Sequence, residues 1–242
     1  MPDCIIIPAR YNSRRIPGKP LIKIDNEYLI VKTLKKIFKY EKKQNVYICT
    51  DSKKVKKTLN NITDNVIIVK KNCINGTQRC SYAVDKIKKK FQNFIIVSCD
   101  MPFLNGKVLN FLKNKMKKQN KNVAAVTVHT KIKNNKILNN RNVAKIVLSK
   151  SNTILFISRS KIPFSRRKTS YFSHHGLVII KKEVLKNYKK INNSRLQLAE
   201  DNEWLKLIEN DFILKSYLYS NIKPEINTKK DLINYFPLRF KT

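Results

Sequence analysis

The sequence predicts an α/β fold built on a parallel sheet with helices over both faces. Three observations predict it. Short apolar runs alternate with longer amphipathic stretches through the first half of the chain. The apolar runs are continuous, which is the pattern of strands buried on both sides. And 242 residues are enough for one such domain with a small insertion.

The elements follow in order. CIIIP (4–8) reads as a buried first strand, and EYLIVKTLKKIFKYEKK (27–43) sets Ile30, Leu34, Ile37 and Phe38 at helical spacing. NVYICT (45–50) and NVIIVK (65–70) are the second and third strands. TQRCSYAVDKIKKKF (77–91) reads as a helix with Tyr82, Val84, Ile87 and Phe91 on one face. FIIVSCD (94–100) is a fourth strand, apolar until its final carboxylate. LNGKVLNFLKNKMKKQ (104–119) is a helix and NVAAVTVHT (122–130) a strand. The polar stretch 131–142 reads as a surface loop. Beyond it, 142–150 and 153–160 form a hairpin, 174–180 a strand and 181–190 a short helix. The segment 196–210 is a helix, 212–220 a strand and 228–236 a last helix with Thr228 as N-cap. The expectation is a single domain, 1–242, with a smaller lobe over about 131–190.

Composition narrows the function classes. Lys+Arg number 52 against 16 for Asp+Glu, a net charge of +36. Such a balance raises nucleic acid as a partner. The charge is mostly lysine, however, spread over nearly every segment beside abundant Asn and Ile, which is the signature of an AT-rich coding sequence. The nearest basic cluster is RSKIPFSRRK (159–168), and no specific nucleic-acid partner is expected. No apolar run approaches the ~20 residues of a membrane-spanning helix. The five cysteines are scattered without a CxxC, so neither a disulfide framework nor a zinc site is supported. The chain enters a strand directly from Met1, without a signal peptide, and the expectation is a cytoplasmic protein.

Open parallel sheets bind ligands outside the carboxyl ends of their strands. The loop after the first strand, with Arg10, Arg14, Arg15 and Lys19 around Pro17-Gly18, falls there. It reads as a phosphate cradle or as a solvated basic loop; three of only ten arginines within six positions favour the cradle. Asp100 falls on the same edge, either as a ligand for a cation beside phosphate or as a turn cap. NGTQR (75–79) opens a helix and either meets a nucleotide or only caps that helix.

The motif IIIPARYNSRRIPGKPL resembles the signature of the 3-deoxy-manno-octulosonate (Kdo) cytidylyltransferase family. NGTQR resembles its SGTER, CDMP its GDEP, and NRNVAKIVLSKSNTILFISRSKIPF its NPNxVKVVxDxxGxALYFSRxxIP. HHG and EINTKKDL correspond to its RHxGIYGY and VDTPEDL segments. The resemblance implies a Rossmann-like, mostly parallel sheet of the nucleotide-sugar transferase type with a small hairpin-containing dimerisation lobe. It implies a Mg²⁺-dependent nucleotidyltransferase joining CTP to Kdo, giving CMP-Kdo for lipopolysaccharide synthesis and releasing pyrophosphate, and working as a homodimer. By resemblance, Arg10, Ser13, Arg15 and Lys19 hold the triphosphate beside Ala9. Gly76, Thr77 and Arg79 bind the cytidine end, Asp100 binds Mg²⁺, and Arg159 and His174 contact the sugar acid. Arg10, Arg15, Lys19 and Asp100 are the catalytic set.

The chain departs from that pattern on the sugar and metal side. The second metal carboxylate falls on Asn227, which offers an oxygen without charge, and Asp231 lies one turn on. Ser98 and Cys99 precede Asp100, Ser173 replaces an Arg, Gln197 a Glu, and Leu177–Ile180 a Tyr-rich strand. Cys73 and Asn75 stand where the family has His and Ser. His174 also reads as a packed strand histidine. Three functions fit: a Kdo cytidylyltransferase, one for another acidic sugar such as a nonulosonate, or a decayed nucleotide-binding homologue.

Overall fold

A computed structural model describes residues 1–11, 16–223 and 225–236. β1 (Cys4–Ala9) is followed by a small hairpin, β2 (Lys23–Ile24) and β3 (Glu27–Tyr28), and then α1 (Leu29–Phe38). The α/β repeat continues with β4 (Val46–Thr50), α2 (Lys53–Leu59), β5 (Val66–Ile68), α3 (Gly76–Val84), β6 (Asn93–Ile96), α4 (Lys107–Lys117) and β7 (Val123–Lys131). The second half adds α5 (Asn135–Asn139), β8 (Lys145–Leu148), β9 (Ile154–Ser158), β10 (Phe172–Lys181) and α6 (Lys182–Asn187). It ends with α7 (Arg195–Glu200), α8 (Leu205–Ile208), β11 (Ile213–Leu218) and α9 (Lys229–Tyr235).

The main sheet runs β11-β7-β10-β6-β1-β4-β5. β6, β1, β4 and β5 are mutually parallel, and β11 is parallel to β7. β10 runs antiparallel to both its neighbours, β6 and β7. The hairpin β8–β9 leaves the main path by pairing with β10 at Ser173. The continuous apolar strands are explained by two cores. Ile5, Ile7, Ile95 and Val97 face one, with α1 and α4, while Cys4, Ile6, Phe94 and Ile96 face the other, with α3 and α6. Each fully buried Ile contributes roughly 1.5–3 kcal/mol, so the sheet holds its carboxyl edge rigidly.

Several boundaries differ from the sequence reading, each for a local reason. The helix expected from 27 starts at Leu29, because Glu27 and Tyr28 pair with Ile24 and Lys23. The turn between them needs positive φ twice, and Asp25 and Asn26 supply it (58° and 59°). The helix expected over 196–210 is two, because Asp201 adopts φ +46° and ends α7, and Asn202 then caps Trp204 N–H at 3.1 Å. The helix expected to reach 91 stops at Val84, and the strand expected to reach Asp100 leaves the ladder after Ile96. α2 and α5 were not expected; Ser52 and Asn134 cap them by accepting the Val55 and Ile137 N–H groups. Thr228 does cap α9, within a capping box shared with Asp231.

Candidate active site

The loop leaving β1 is where charge and backbone converge. Ala9 is buried at the strand end, and Arg10 follows half-buried. Gly18 takes φ +68°, a left-handed conformation that Gly adopts without strain, and its N–H donates to Tyr11 O at 2.9 Å. That bond closes the loop and delivers Lys19 into a single 3-10 turn, Lys19–Leu21. Ser13, Arg14 and Arg15 lie outside the described residues.

Lys19 pairs with Asp100, a contact between a part-buried ammonium and a carboxylate only 3 % exposed. Burial pulls the Lys19 ammonium down, but Asp100, Cys99 and Glu225 pull it up, and the net direction is upward. Asp100 is held from α1: Thr33 Oγ1 donates to Cys99 O (3.0 Å) and accepts from Met101 N–H (3.1 Å). That clasp is why the chain leaves the ladder before Asp100. One carboxylate oxygen faces Lys19; the other, Oδ1, is buried with no hydrogen-bond partner among the described residues. Ile226 N–H donates to Asp100 O at 3.1 Å, which brings Asn227 alongside. Asp231 is committed elsewhere, its Oδ2 accepting the N–H groups of Asn227 (2.8 Å) and Thr228 (2.7 Å).

A second group supports the loop from below. Arg79 is buried, its guanidinium on Asp51 Oδ2 (3.2 Å) and Val69 O (3.2 Å). Asp51 Oδ1 in turn accepts the Tyr11 N–H at 2.9 Å. Arg79 therefore positions the first loop through Asp51. Gly76 opens α3 against β1: a Cβ there would stand 3.1 Å from Pro8 Cγ. Thr77 N–H donates to Glu203 Oε2 at 2.9 Å. Burial pushes the Glu203 carboxyl up, and the Thr77 N–H bond pulls part of that back. Tyr188 fixes Glu203 by donating to its carbonyl at 2.9 Å. Asp51 and Thr33 escaped the sequence reading; Glu203 stands out there only as an acid remaining in the late segment whose family Glu is Gln197.

A third group joins β8, β9 and β10. Glu200 accepts from Ser158 Oγ (2.6 Å) and Arg159 N–H (2.8 Å). The buried Lys145 donates to Arg159 O at 2.6 Å. Arg159 spends three of its guanidinium donors on backbone carbonyls, those of Glu200, Asn142 and Asp201. Two N–H donors are left for an anion. His174 presents both ring nitrogens buried and without a hydrogen-bond partner among the described residues. Burial, then His175, His129 and Arg159, holds its pKa down at about 3, so the ring is neutral. Ser173 is packed on Thr130 (Oγ to Oγ1, 2.6 Å), and Gln197 Oε1 accepts Ser194 N–H (3.3 Å). Both departures are thus absorbed by local packing.

The family profile described as Cytidylyltransferase matches residues 4–222. A 3-deoxy-manno-octulosonate cytidylyltransferase from Fusobacterium nucleatum is 30% identical over 238 residues, 95% of each chain. An 8-amino-3,8-dideoxy-manno-octulosonate cytidylyltransferase from Shewanella pealeana is 26% identical over 231 residues, 94% of each chain. A solved structure of CMP:2-keto-3-deoxy-manno-octonic acid synthetase complexed with CTP matches the fold with a TM-score of 0.88, covering 98% of each chain at 24% identity.

Proposed function

The chain belongs to the cytidylyltransferase family, and from that premise we propose that it transfers the cytidylyl group of CTP to the anomeric hydroxyl of 3-deoxy-D-manno-octulosonate. The hydroxyl oxygen bonds to the α-phosphorus and pyrophosphate leaves. Protein groups in such a reaction mainly position substrates and neutralise charge. The observation that carries this reading is the Lys19–Asp100 pair, set at the carboxyl edge of β1 and β6 beneath a loop closed by Gly18. Lys19 and Arg10 face the triphosphate. The Gly76–Thr77 turn, braced by Glu203, receives the nucleoside. Arg159 and His174 receive the sugar acid, with the two spare Arg159 donors suited to its carboxylate.

Mg²⁺ is part of the proposal. A buried anionic oxygen without a partner suits a hard cation, and Asp100 Oδ1 has none among the described residues. Asp100 and Asn227 would hold the ion, which when bound supplies charge neutralisation at the phosphate oxygens. A homodimer and a cytoplasmic location are also proposals. Among the described residues, no helix is long and apolar enough to cross a membrane.

The test is pyrophosphate release from CTP, Mg²⁺ and Kdo, with Asp100→Ala as background. Release that requires Kdo and disappears in the variant is expected. Absence of release with Kdo, together with release from the 8-amino-3,8-dideoxy sugar, would move the substrate to the one named for the Shewanella relative. Absence of release with either would refute the assignment.

A further inference from the structure

We propose that Lys145 is a positioning residue for the sugar acid: its buried ammonium fastens the turn before β8 to the Arg159 backbone and so aims the Arg159 guanidinium. The inference rests on the nucleotide-transfer reading and deepens its sugar side.

Lysine is abundant in this chain and mostly exposed, yet Lys145 is only 1 % exposed. Burying an ammonium is costly unless its donors are satisfied. Lys145 Nζ meets three backbone carbonyls: Arg159 O at 2.6 Å, Val143 O at 2.8 Å and Asn140 O at 3.0 Å. An ammonium carries three N–H donors, so none is left over for a ligand. Bonds from a charged donor are the strong ones. The group is therefore built to hold main chain in place.

The three carbonyls belong to two segments. Asn140 and Val143 lie in the turn that enters β8, and Arg159 leaves β9 directly after Ser158, the register partner of Lys145. The turn reaches further. Asn142 O accepts from Arg159 Nη1 at 3.0 Å, and Ala144 O accepts the His174 N–H at 2.9 Å. The segment pinned by one ammonium thus touches both residues assigned to the sugar acid. From the other side, the end of α7 holds Arg159 through Glu200 O on Nε (3.4 Å) and Asp201 O on Nη2 (3.2 Å). Without the Lys145 ammonium, the turn loses this tie to Arg159 and Asn142 O its fixed place. The guanidinium then keeps two of its three anchors, and its two spare donors lose their direction.

The experiment is a double-mutant cycle on pyrophosphate release by the full-length protein. Wild type, Lys145→Met, Arg159→Ala and the double variant are compared, with Kdo varied at saturating CTP and CTP varied at saturating Kdo. Thermal unfolding checks each fold; Lys145→Gln, which keeps two N–H donors, takes the place of Lys145→Met if the latter does not fold. Lys145→Met is expected to lower kcat/KM for Kdo at least ~10-fold, as misplacing a substrate-positioning group does, with KM for CTP within about twofold of wild type. The double variant should lose less than the product of the two single losses, because Lys145 acts through Arg159. A loss equal to that product would overturn the proposal, and so would a wild-type kcat/KM for Kdo in Lys145→Met. A rise in KM for CTP matching the loss for Kdo would overturn it too, by marking a general loss of structure. Unchanged kcat/KM for Kdo in Arg159→Ala would instead refute the sugar-side reading, and absence of release by the wild type the nucleotide-transfer reading itself.

Discussion

Lowering the pH from 6.5 towards 4 is expected to destabilise the fold through its histidines. The chain has three, and all lie on the paired strands β7 and β10. His129 is buried, with Nδ1 2.9 Å from Ser216 Oγ and its ring edge-on to Phe172 at 5.0 Å. It sits opposite His174 in the strand register. Burial holds His129 at about 4 against an ordinary 6.5, and burial with His129 holds His175 at about 4. The folded state therefore keeps these rings neutral. Below pH 6.5 the unfolded chain takes up protons that the fold refuses, so stability falls as pH falls. Each histidine contributes a slope of about 1.4 kcal/mol per pH unit until the fold itself titrates. Glu203 acts in the opposite sense: its raised carboxyl lets the fold gain a proton first, adding stability as pH falls. A difference between proteins removes that contribution. His129→Asn keeps a polar partner for Ser216 and deletes one titrating ring. Urea unfolding between pH 4.5 and 7 can be followed by Trp204, the one tryptophan and a buried one. The variant's stability should fall less steeply, by about 1.4 kcal/mol per pH unit. Equal slopes in the two proteins would refute the assignment of a neutral buried His129.

Lys19→Ala should abolish pyrophosphate release and, because it strands the buried Asp100 carboxylate, should also cost about 3 kcal/mol in urea unfolding. Adding Asp100→Asn should recover part of that stability but no turnover; full stability in the single variant would contradict the ion pair. Gly76→Ala drives a methyl to 3.1 Å from Pro8 Cγ, so unfolding free energy should drop by about 1–3 kcal/mol. CTP affinity should weaken with it, and an unchanged calorimetric titration would separate the turn from the nucleotide. Asp231→Ala removes the acceptor for two N–H groups at the start of α9 and should cost about 1 kcal/mol, read from the urea midpoint.

The sheet was legible because its signal is distributed: four-residue apolar runs such as Ile5–Pro8 and Phe94–Val97 cannot be exposed without large cost. What the sequence concealed depends on single residues. Asp25, Asn26 and Asp201 decide two boundaries by adopting positive φ, and although Asp and Asn favour that region, most of the many Asp and Asn residues here do not adopt it. The site divides the same way. Lys19 was visible as a charge in the loop after the first strand and Asp100 as a charge closing an apolar run. Thr33 was not, because it reaches the site from a distant segment and belongs to no motif, and Glu203 was visible only as a remaining acid, not as the acceptor of the Thr77 N–H. Asp51 carried a readable signal: it follows NVYICT as Asp100 follows FIIVSC.

The two strand-end aspartates separate by what satisfies them. β4 and β6 flank β1, so Asp51 and Asp100 stand on either side of the first loop. Asp51 has both oxygens engaged, one on the Tyr11 N–H and one on the buried Arg79, and is bound into the scaffold. Asp100 is the more buried of the two, yet one of its oxygens has no hydrogen-bond partner among the described residues, with Lys19 on the other. A buried carboxylate oxygen of that kind costs on the order of 1–3 kcal/mol, and packing alone gives no reason to keep it. The asymmetry separates them: Arg79 and Asp51 hold the loop in shape, while Lys19 and Asp100 are the pair that the proposed function sets against the triphosphate. Under that proposal the arginine of the NGTQR motif acts one residue removed from the ligand, and its loss should appear first as a loosened first loop.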